Sequence, residues 1–317
     1  MKNGSNGNGK SHGLNEYKIC VIGPGVVGQA QGKAFAMLGY PVEFLGGSAD
    51  KAEKLQKEGY RVHSRDSLFD GSYDFDISFL TVPTPTTDGI INLSHILSAS
   101  EDLGKRLVAR KEQKYHLVVV KSTVPPGTTE ELVIKKIEEA SGLKAGVDFG
   151  ICMNPEYLRE ICAFEDAMKP WIILIGELDK RSGDILTSVY SGFGVGIIRC
   201  SLKEAEMQKY VHNLYNAVKI SFFNEMRNVA EGIGADASKI FEVTAKSAEG
   251  MWNPKYGTKN QGPFTGSCLP KDTQAFYKWA ESKGLGVSLL GEAINVNNSL
   301  LKKNGFHKQS VEIGNNL

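Results

Sequence analysis

Long apolar runs are missing from this chain of 317 residues. None approaches the roughly 20 residues that a membrane span requires, so no spanning helix is expected. The opening segment MKNGSNGNGKSHGLNE has no apolar stretch like that of a signal peptide, and the expected location is the cytoplasm. An excess of one charge is missing too. Lys plus Arg number 37 and Asp plus Glu 36, a net charge of +1, which leaves no field to gather nucleic acid or an anionic membrane. Cysteine is scarce: Cys20, Cys152, Cys162, Cys200 and Cys268 are an odd number at wide spacing without a CxxC pair. Neither a disulfide framework nor a cysteine zinc site is expected from that pattern. The histidines include no HExxH and no pair at helical ligand spacing, and no metal is expected. With 41% hydrophobic residues the chain can bury a core, and its length leaves room for two domains of ordinary size.

Residues 1–15 are too polar to offset the cost of ordering and read as a flexible tail. From Tyr17 the character changes. Lys18 to Ile22 is a short apolar run, a glycine-rich turn follows, and Gln29 to Leu38 has helical spacing. The pattern recurs: strands at 42–45, 76–82, 116–121, 149–153 and 171–175, helices at 50–58 and 128–140. Alternation of this kind predicts an α/β fold, a doubly wound parallel sheet of the Rossmann type, over residues 16–200. After about Ser201 the strand signal stops. Leu202 to Gly232 has apolar residues three and four apart without Pro or Gly before its end, a long central helix. Helices at 237–245, 272–283 and 288–303 follow, giving an all-helical substrate and dimerisation domain over 201–305 and a tail over 306–317. Apolar surface on the long helix beyond what a small domain covers suggests a homodimer.

Gly23-Pro24-Gly25-Val26-Val27-Gly28 fits GxGxxG and lies between a strand and a helix, the context a dinucleotide site demands. Gly23 permits the tight turn, Gly25 lets backbone approach a pyrophosphate, Gly28 allows close helix packing, and the helix start offers N–H donors. The bland alternative is a turn that happens to be rich in glycine. The second strand ends at Gly46, where an acidic residue usually binds the adenosine ribose. NAD is the expected cofactor, and NADP is left open because Ser48 and Lys51 would suit a 2′-phosphate.

Several residues have the chemistry for catalysis, each with a plainer reading. Cys268 precedes a predicted helix beside Lys271, a setting that favours thiolate, although a lone Cys is more often a small buried side chain. Lys209 and Asn213, four apart on the long helix, share a face and offer a cation and a hydrogen bond to an oxyanion; a helical Lys is otherwise a solvated group. Glu156 and Glu160 follow a strand end, where sites of α/β sheets lie, with a salt bridge to Arg159 or Lys169 as the alternative. Thr123 follows another strand end, where it would hold a water or cap a turn.

Taken in order, GPGVVG, the turn Val82-Pro83-Thr84-Pro85-Thr86, KSTVPPGTT, NPEYLRE, KYVHN with KISFFNE, and GSCLPKD resemble the UDP-glucose/GDP-mannose dehydrogenase family. The resemblance runs from the first strand to about Asn298. It implies oxidation of the primary alcohol of a nucleotide sugar to a carboxylate with two NAD in turn. It makes Cys268 the nucleophile that captures the aldehyde as a thiohemiacetal, later a thioester. Lys209 and Asn213 would stabilise the oxyanions, Asp272 would assist proton transfer with a water that Thr123 and Glu160 position, and Glu156 would act in thioester hydrolysis. Gly23, Gly25, Val26, Val27, Gly28, Pro83, Thr84, Ser122 and Thr123 would hold the cofactor. Tyr157, Leu158, Lys209, Asn213, Tyr256, Lys259 and Gly266 would contact the substrate.

The sequence departs from the family pattern at Gly46, at Pro263-Phe264-Thr265-Gly266-Ser267 where the family prefers GFGGS, and at Gly250 to Pro254, which lacks the family's Arg. Relatives also continue into a further nucleotide-binding domain that is expected to be absent here, which leaves three alternatives open: a smaller sugar-containing substrate, another chain that supplies the missing surface, or a truncated product. Two other functions stay in play: a two-electron hydroxyacid-type dehydrogenase using Lys209, and a catalytically silent binding homologue.

Overall fold

The computed structural model describes residues 17–258, 262–266 and 268–303. The two tails expected at 1–15 and 306–317 lie outside the described residues. The chain divides into two compact units, Met1–Val211 and His212–Leu317.

In the first unit the elements are β1 (Ile19–Ile22), α1 (Val26–Met37), β2 (Val42–Leu45), α2 (Ala49–Lys57), β3 (Arg61–His63), β4 (Ile77–Leu80), the hairpin strands β5 (Thr86–Thr87) and β6 (Ile90–Ile91), α3 (Ser94–Val108), β7 (His116–Val120), α4 (Ile134–Ser141), β8 (Phe149–Met153), α5 (Ala163–Met168), β9 (Ile173–Glu177), α6 (Lys180–Tyr190), β10 (Ile197–Ser201) and the start of α7 (Leu202–Gly232). The main sheet has the order β10-β9-β8-β7-β4-β1-β2-β3. From β3 to β8 all neighbours are parallel, while β9 pairs antiparallel to β8 and β10 runs with β9. The expected parallel sheet thus holds for its greater part and reverses at one edge.

Alternation along the strands feeds two cores. Cys20, Ile22, Leu80, Val118, Val120, Ile151 and Met153 face one side, and Ile19, Val21, Ile77, Phe79, Leu117, Val119 and Cys152 the other. Burial of both faces explains why these strands read as unbroken apolar runs. Each Ile, Leu or Val so buried contributes about 1.5–3 kcal/mol.

Several elements were invisible to hydrophobic periodicity. Helix α3 buries Ala99, Ser100, Gly104 and Arg106 beside Ile96, Leu103 and Leu107, so four of its seven buried residues are small or polar. A Cβ at Gly104 would stand 2.8 Å from the Ile137 carbonyl, which shows how closely α3 and α4 pack. Helix α6 and the short strands β3 and β10 were likewise unread, and the strand expected at 171–175 lies at Ile173–Glu177. The helix expected over 128–140 begins with a π-helical stretch, Thr129–Val133, before α4. Its first amides are satisfied by Glu206 of α7, whose fully buried carboxylate accepts from Gly127 N and from Thr129 N at 2.8 Å.

The second unit holds the rest of α7 with α8 (Ala237–Ser247), α9 (Glu249–Trp252), α10 (Cys268–Ser282) and α11 (Ser288–Lys303). Val229, Ala280 and Val287 form its buried centre, with Met226, Phe276, Tyr277, Leu285 and Leu290 around them. Glu225 of α7 accepts from Leu289 N at 2.9 Å and Leu290 N at 3.3 Å, supplying a carboxylate to the first turn of α11. Helix α10 begins at Cys268, earlier than the expected Asp272, because Pro270 is tolerated inside a first turn.

Candidate active site

In the first unit the carboxyl ends of the adjacent strands β1, β4 and β7 meet where successive connections leave the sheet in opposite directions, the usual ligand position of open α/β sheets. The glycine-rich turn is built for close approach. Gly23 has φ +94° and a Cβ there would lie 2.9 Å from Val82 backbone. At Gly28 a Cβ would lie 2.5 Å from Thr81 Oγ1 and 2.6 Å from the Gly23 carbonyl, so glycine is required by packing. Gly32, which the motif did not include, does the same against the Phe44 ring at 2.7 Å, and the signal was its four-residue spacing from Gly28.

Gly25 is different. A Cβ there would meet nothing within 4 Å, and as N-cap of α1 it offers no side-chain bond to the helix amides. The first turn of α1 therefore faces open space with donors for an anion, and the cradle fits the pyrophosphate of a dinucleotide. Val26 is exposed and Val27 half-buried. The other expected cofactor residues converge here. Thr84 Oγ1 donates to the Thr123 carbonyl at 2.8 Å and Ser122 Oγ to the Val82 carbonyl at 2.6 Å, tying the turn with Pro83 to the end of β7. At the end of β2, Gly46 and Gly47 have φ +83° and +94°, and Asp50 sits in the first turn of α2.

Next along the sheet, beyond β8, lies a polar cluster. Lys209 is only 4% exposed, which overturns its plain reading as a solvated group. Its Nζ donates to the Glu156 carbonyl at 2.5 Å and pairs with Glu156 Oε1 at 3.0 Å. The other carboxylate oxygen accepts from Leu158 N at 2.6 Å, so Glu156 is fixed at both ends. The alternative salt bridge to Arg159 or Lys169 is not the one formed, since Arg159 binds Asp166 with Nη2 at 2.7 Å. Tyr157 lies under the ammonium, 5.4 Å from ring centroid to Nζ, and donates to Gln208 at 2.5 Å, with burial pushing its hydroxyl up to about 12. Glu160 is exposed and opens a short 3₁₀ turn, off the irregular segment that carries Glu156.

Sequence reasoning missed Lys121. It is 3% exposed, and Nζ donates to Asn154 Oδ1 at 2.8 Å, the Asn154 carbonyl at 3.3 Å and Tyr190 OH at 3.4 Å. Burial, with the charge of Lys209 adding to it and Glu156 opposing, lowers its amine to about 7. The available signal was a Lys directly continuing three buried valines.

In the second unit Cys268 is the first residue of α10 and is exposed, and Asp272 lies one turn on with Lys271 Nζ 3.3 Å from its carboxylate. The four-residue spacing puts Cys268 and Asp272 on one helix face. The preceding loop is held by Asn297 of α11, which accepts from Phe264 N at 2.7 Å and donates to its carbonyl at 3.1 Å. Gly266 has φ +87° with open space around it, and Tyr256 is half exposed against Gly250. Asn213, on α7, is exposed. Lys259 lies outside the described residues.

A dinucleotide-binding α/β fold is thus defined by the sheet and its glycine cradle. The chain matches the UDP-glucose/GDP-mannose dehydrogenase family, NAD binding domain, over residues 17–194 and the central domain of the same family over residues 203–299. It belongs to that family. GDP-mannose 6-dehydrogenase of Pseudomonas aeruginosa is 38% identical over 231 residues, 73% of this chain and 52% of the relative. UDP-glucose 6-dehydrogenase of Haloferax volcanii is 33% identical over 305 residues, 88% of this chain and 69% of the relative. The solved ternary complex of the Pseudomonas GDP-mannose dehydrogenase superposes with a TM-score of 0.84 at 32% identity, covering 90% of this chain and 69% of the other. The chain spans about half the length of the GDP-mannose 6-dehydrogenases it matches. No helix among the described residues is long and apolar enough to cross a membrane.

Proposed function

We propose that the protein is an NAD-dependent dehydrogenase that oxidises the primary alcohol of a nucleotide sugar to a carboxylate in two steps through Cys268. The reading is supported above all by the Lys209–Glu156 pair, in which two separate family segments, KYVHN and NPEYLRE, meet around a buried ammonium.

The residues of the glycine cradle, with Pro83, Thr84, Ser122 and Thr123, hold the cofactor; NAD, when bound, supplies the hydride acceptor. Loss of a proton and a hydride turns the alcohol into an aldehyde. The Cys268 thiol adds across the aldehyde carbonyl, forming a C–S bond and a thiohemiacetal hydroxyl. Loss of a second proton and hydride leaves a thioester, and water cleaves the C–S bond to return the thiol and release the acid. Lys209 and Asn213 stabilise the negative oxygen at each stage, Asp272 passes protons, Thr123 and Glu160 orient the water, and Glu156 assists hydrolysis. Tyr157, Leu158, Tyr256, Lys259 and Gly266 contact the substrate.

GDP-mannose and UDP-glucose are the substrates to test, each with NAD and NADP, following absorbance of reduced cofactor and acid formation. Two reduced cofactors per acid, and no acid from Cys268→Ala with its fold intact, are the expected results. One reduced cofactor per substrate, or unchanged acid formation by Cys268→Ala, refutes the thioester route. We also propose a homodimer through α7, where Val211 and Val218 are 52% and 53% exposed; sedimentation velocity should give twice the chain mass.

A further inference from the structure

The turn that carries Glu156 leaves β8 at Asn154. A small cavity of about 30 Å³ lies against it, lined by Gln31, Lys121, Asn154, Glu156, Asp166 and Tyr190 among others. That is room for about two waters. Gln31 is 4% exposed, and its Nε2 has no hydrogen-bond partner in the protein. Where neighbours leave space, hydrogen bonds set the geometry.

Those bonds converge on Asn154. Its N donates to the Val120 carbonyl at 2.8 Å, continuing the β7–β8 ladder by one residue. Its Nδ2 donates to the Leu174 carbonyl of β9 at 2.7 Å, and its Oδ1 accepts from Tyr190 OH at 2.6 Å and from Lys121 Nζ at 2.8 Å. Lys121 also holds the Asn154 carbonyl at 3.3 Å. Two residues further, Lys209 grips the Glu156 carbonyl and carboxylate. The segment from Asn154 to Glu156 is therefore held by two buried ammonium groups, one on the residue that follows β7 and one on α7.

Burying an ammonium on neutral oxygens is costly, and an apolar side chain of the same length would fill the space without that cost. What the ammonium alone supplies is three directed donors, two of them spent on Asn154 and the third on the Tyr190 hydroxyl that itself donates to Asn154. We propose that Lys121 is a positioning residue for Glu156, fixing Asn154 so that the Glu156 carboxylate stands against Lys209. This rests on the reading that Glu156 assists thioester hydrolysis, so the loss of Lys121 slows that step and spares the earlier ones.

Two measurements test it. The first needs no turnover: urea unfolding of the wild type, Lys121→Met, Lys209→Met and the double variant. Two clamps on one turn are coupled, so the unfolding equilibrium of the double variant should differ by more than about threefold from the product of the single effects. A product within threefold overturns the inference. This holds whether or not the oxidation proposed above takes place, so the two can fail separately. The second is rapid mixing with sugar nucleotide and NAD. Lys121→Met should give an undiminished first burst of reduced cofactor, a steady rate at least about tenfold lower, a KM lowered in step so that kcat/KM is unchanged, and a sugar-acyl adduct on Cys268 detected by mass. A burst lowered in step with the steady rate, or a raised KM, marks a merely structural lysine and refutes positioning. If Lys121→Met does not fold, Tyr190→Phe, which removes one donor to Asn154, takes its place in both measurements with the same criteria.

Discussion

Replacing the glycines of the cofactor turn one at a time should separate folding from binding. A Cβ at Gly28 would be forced to within 2.5 Å of Thr81 Oγ1 and 2.6 Å of the Gly23 carbonyl. The second neighbour is backbone of the turn itself, and Thr81 is held by its own bonds to the Ile22 and Gly23 carbonyls at 3.0 and 2.7 Å, so neither can retreat cheaply. Gly28→Ala should cost about 1–3 kcal/mol, the usual range for overpacking, lowering Tm by roughly 2–4 °C for each kcal/mol in a chain of this size. Gly25→Ala meets no atom within 4 Å and has φ −76°, which alanine adopts freely. The gain of about 0.4–1 kcal/mol from a stiffer unfolded chain is offset by the poorer N-cap, whose cost is of similar size. Its stability should stay within about 0.5 kcal/mol of wild type. Its affinity for NAD, however, should fall at least about tenfold, because the methyl group occupies the space a pyrophosphate would use. Thermal unfolding followed by circular dichroism, paired with calorimetric titration of NAD, reads both quantities. If Gly25→Ala binds NAD as the wild type does, or melts as early as Gly28→Ala, the assignment of the cradle is wrong.

Three further outcomes are expected. Gly32→Ala should destabilise by about 1–3 kcal/mol, since its Cβ would press to 2.7 Å on the Phe44 ring, while NAD affinity per folded molecule stays unchanged; chemical denaturation with titration checks it. Burial lowers the Lys121 amine to about 7 from its ordinary 10.5, with Lys209 adding to the shift and Glu156 opposing it. Between those values the unfolded chain binds the extra proton, so stability rises with pH across that window, and Lys121→Met should lack this rise in urea melts. The carboxyl of Asp74 is held down to about 2 by Lys18 and Lys114. A depressed carboxylate stabilises above its unfolded value and loses that contribution as pH falls toward 2, so acid unfolding of Asp74→Asn should be shallower over pH 4 to 2.

The fold was legible where burial imposes a period. Strands such as His116–Val120 and Phe149–Met153, and the long helix Leu202–Gly232, stand at or within a residue of where apolar spacing put them. What escaped was built from small or polar residues. Helix α3 hides Gly104 and Ser100 on its inner face, and the edge strand β10 leaves Ile198 51% exposed, so neither carries the expected pattern. For the site, glycine spacing and strand ends pointed to the cofactor turn, because a close backbone approach restricts residue type. Lys121 offered only its place directly after three buried valines, and Glu206 offered nothing local. Each is a charged residue buried by partners distant in sequence, Asn154 for the first and the 127–129 backbone for the second, and no local spacing encodes such a meeting.

The paired left-handed residues that end β2 have a bearing on anyone wishing to retune coenzyme choice. An L-amino acid with a side chain resists φ values of +83° and +94° by roughly 1–2 kcal/mol, and at Gly47 its Cβ would also press to 2.7 Å on Pro24. A carboxylate at either position, placed to grip the adenosine hydroxyls of the proposed cofactor, would carry that cost. At the proposed cofactor site, selection for or against a phosphorylated ribose meets no such cost at Ser48, which is extended with φ −76°, or at Lys51, which lies within α2.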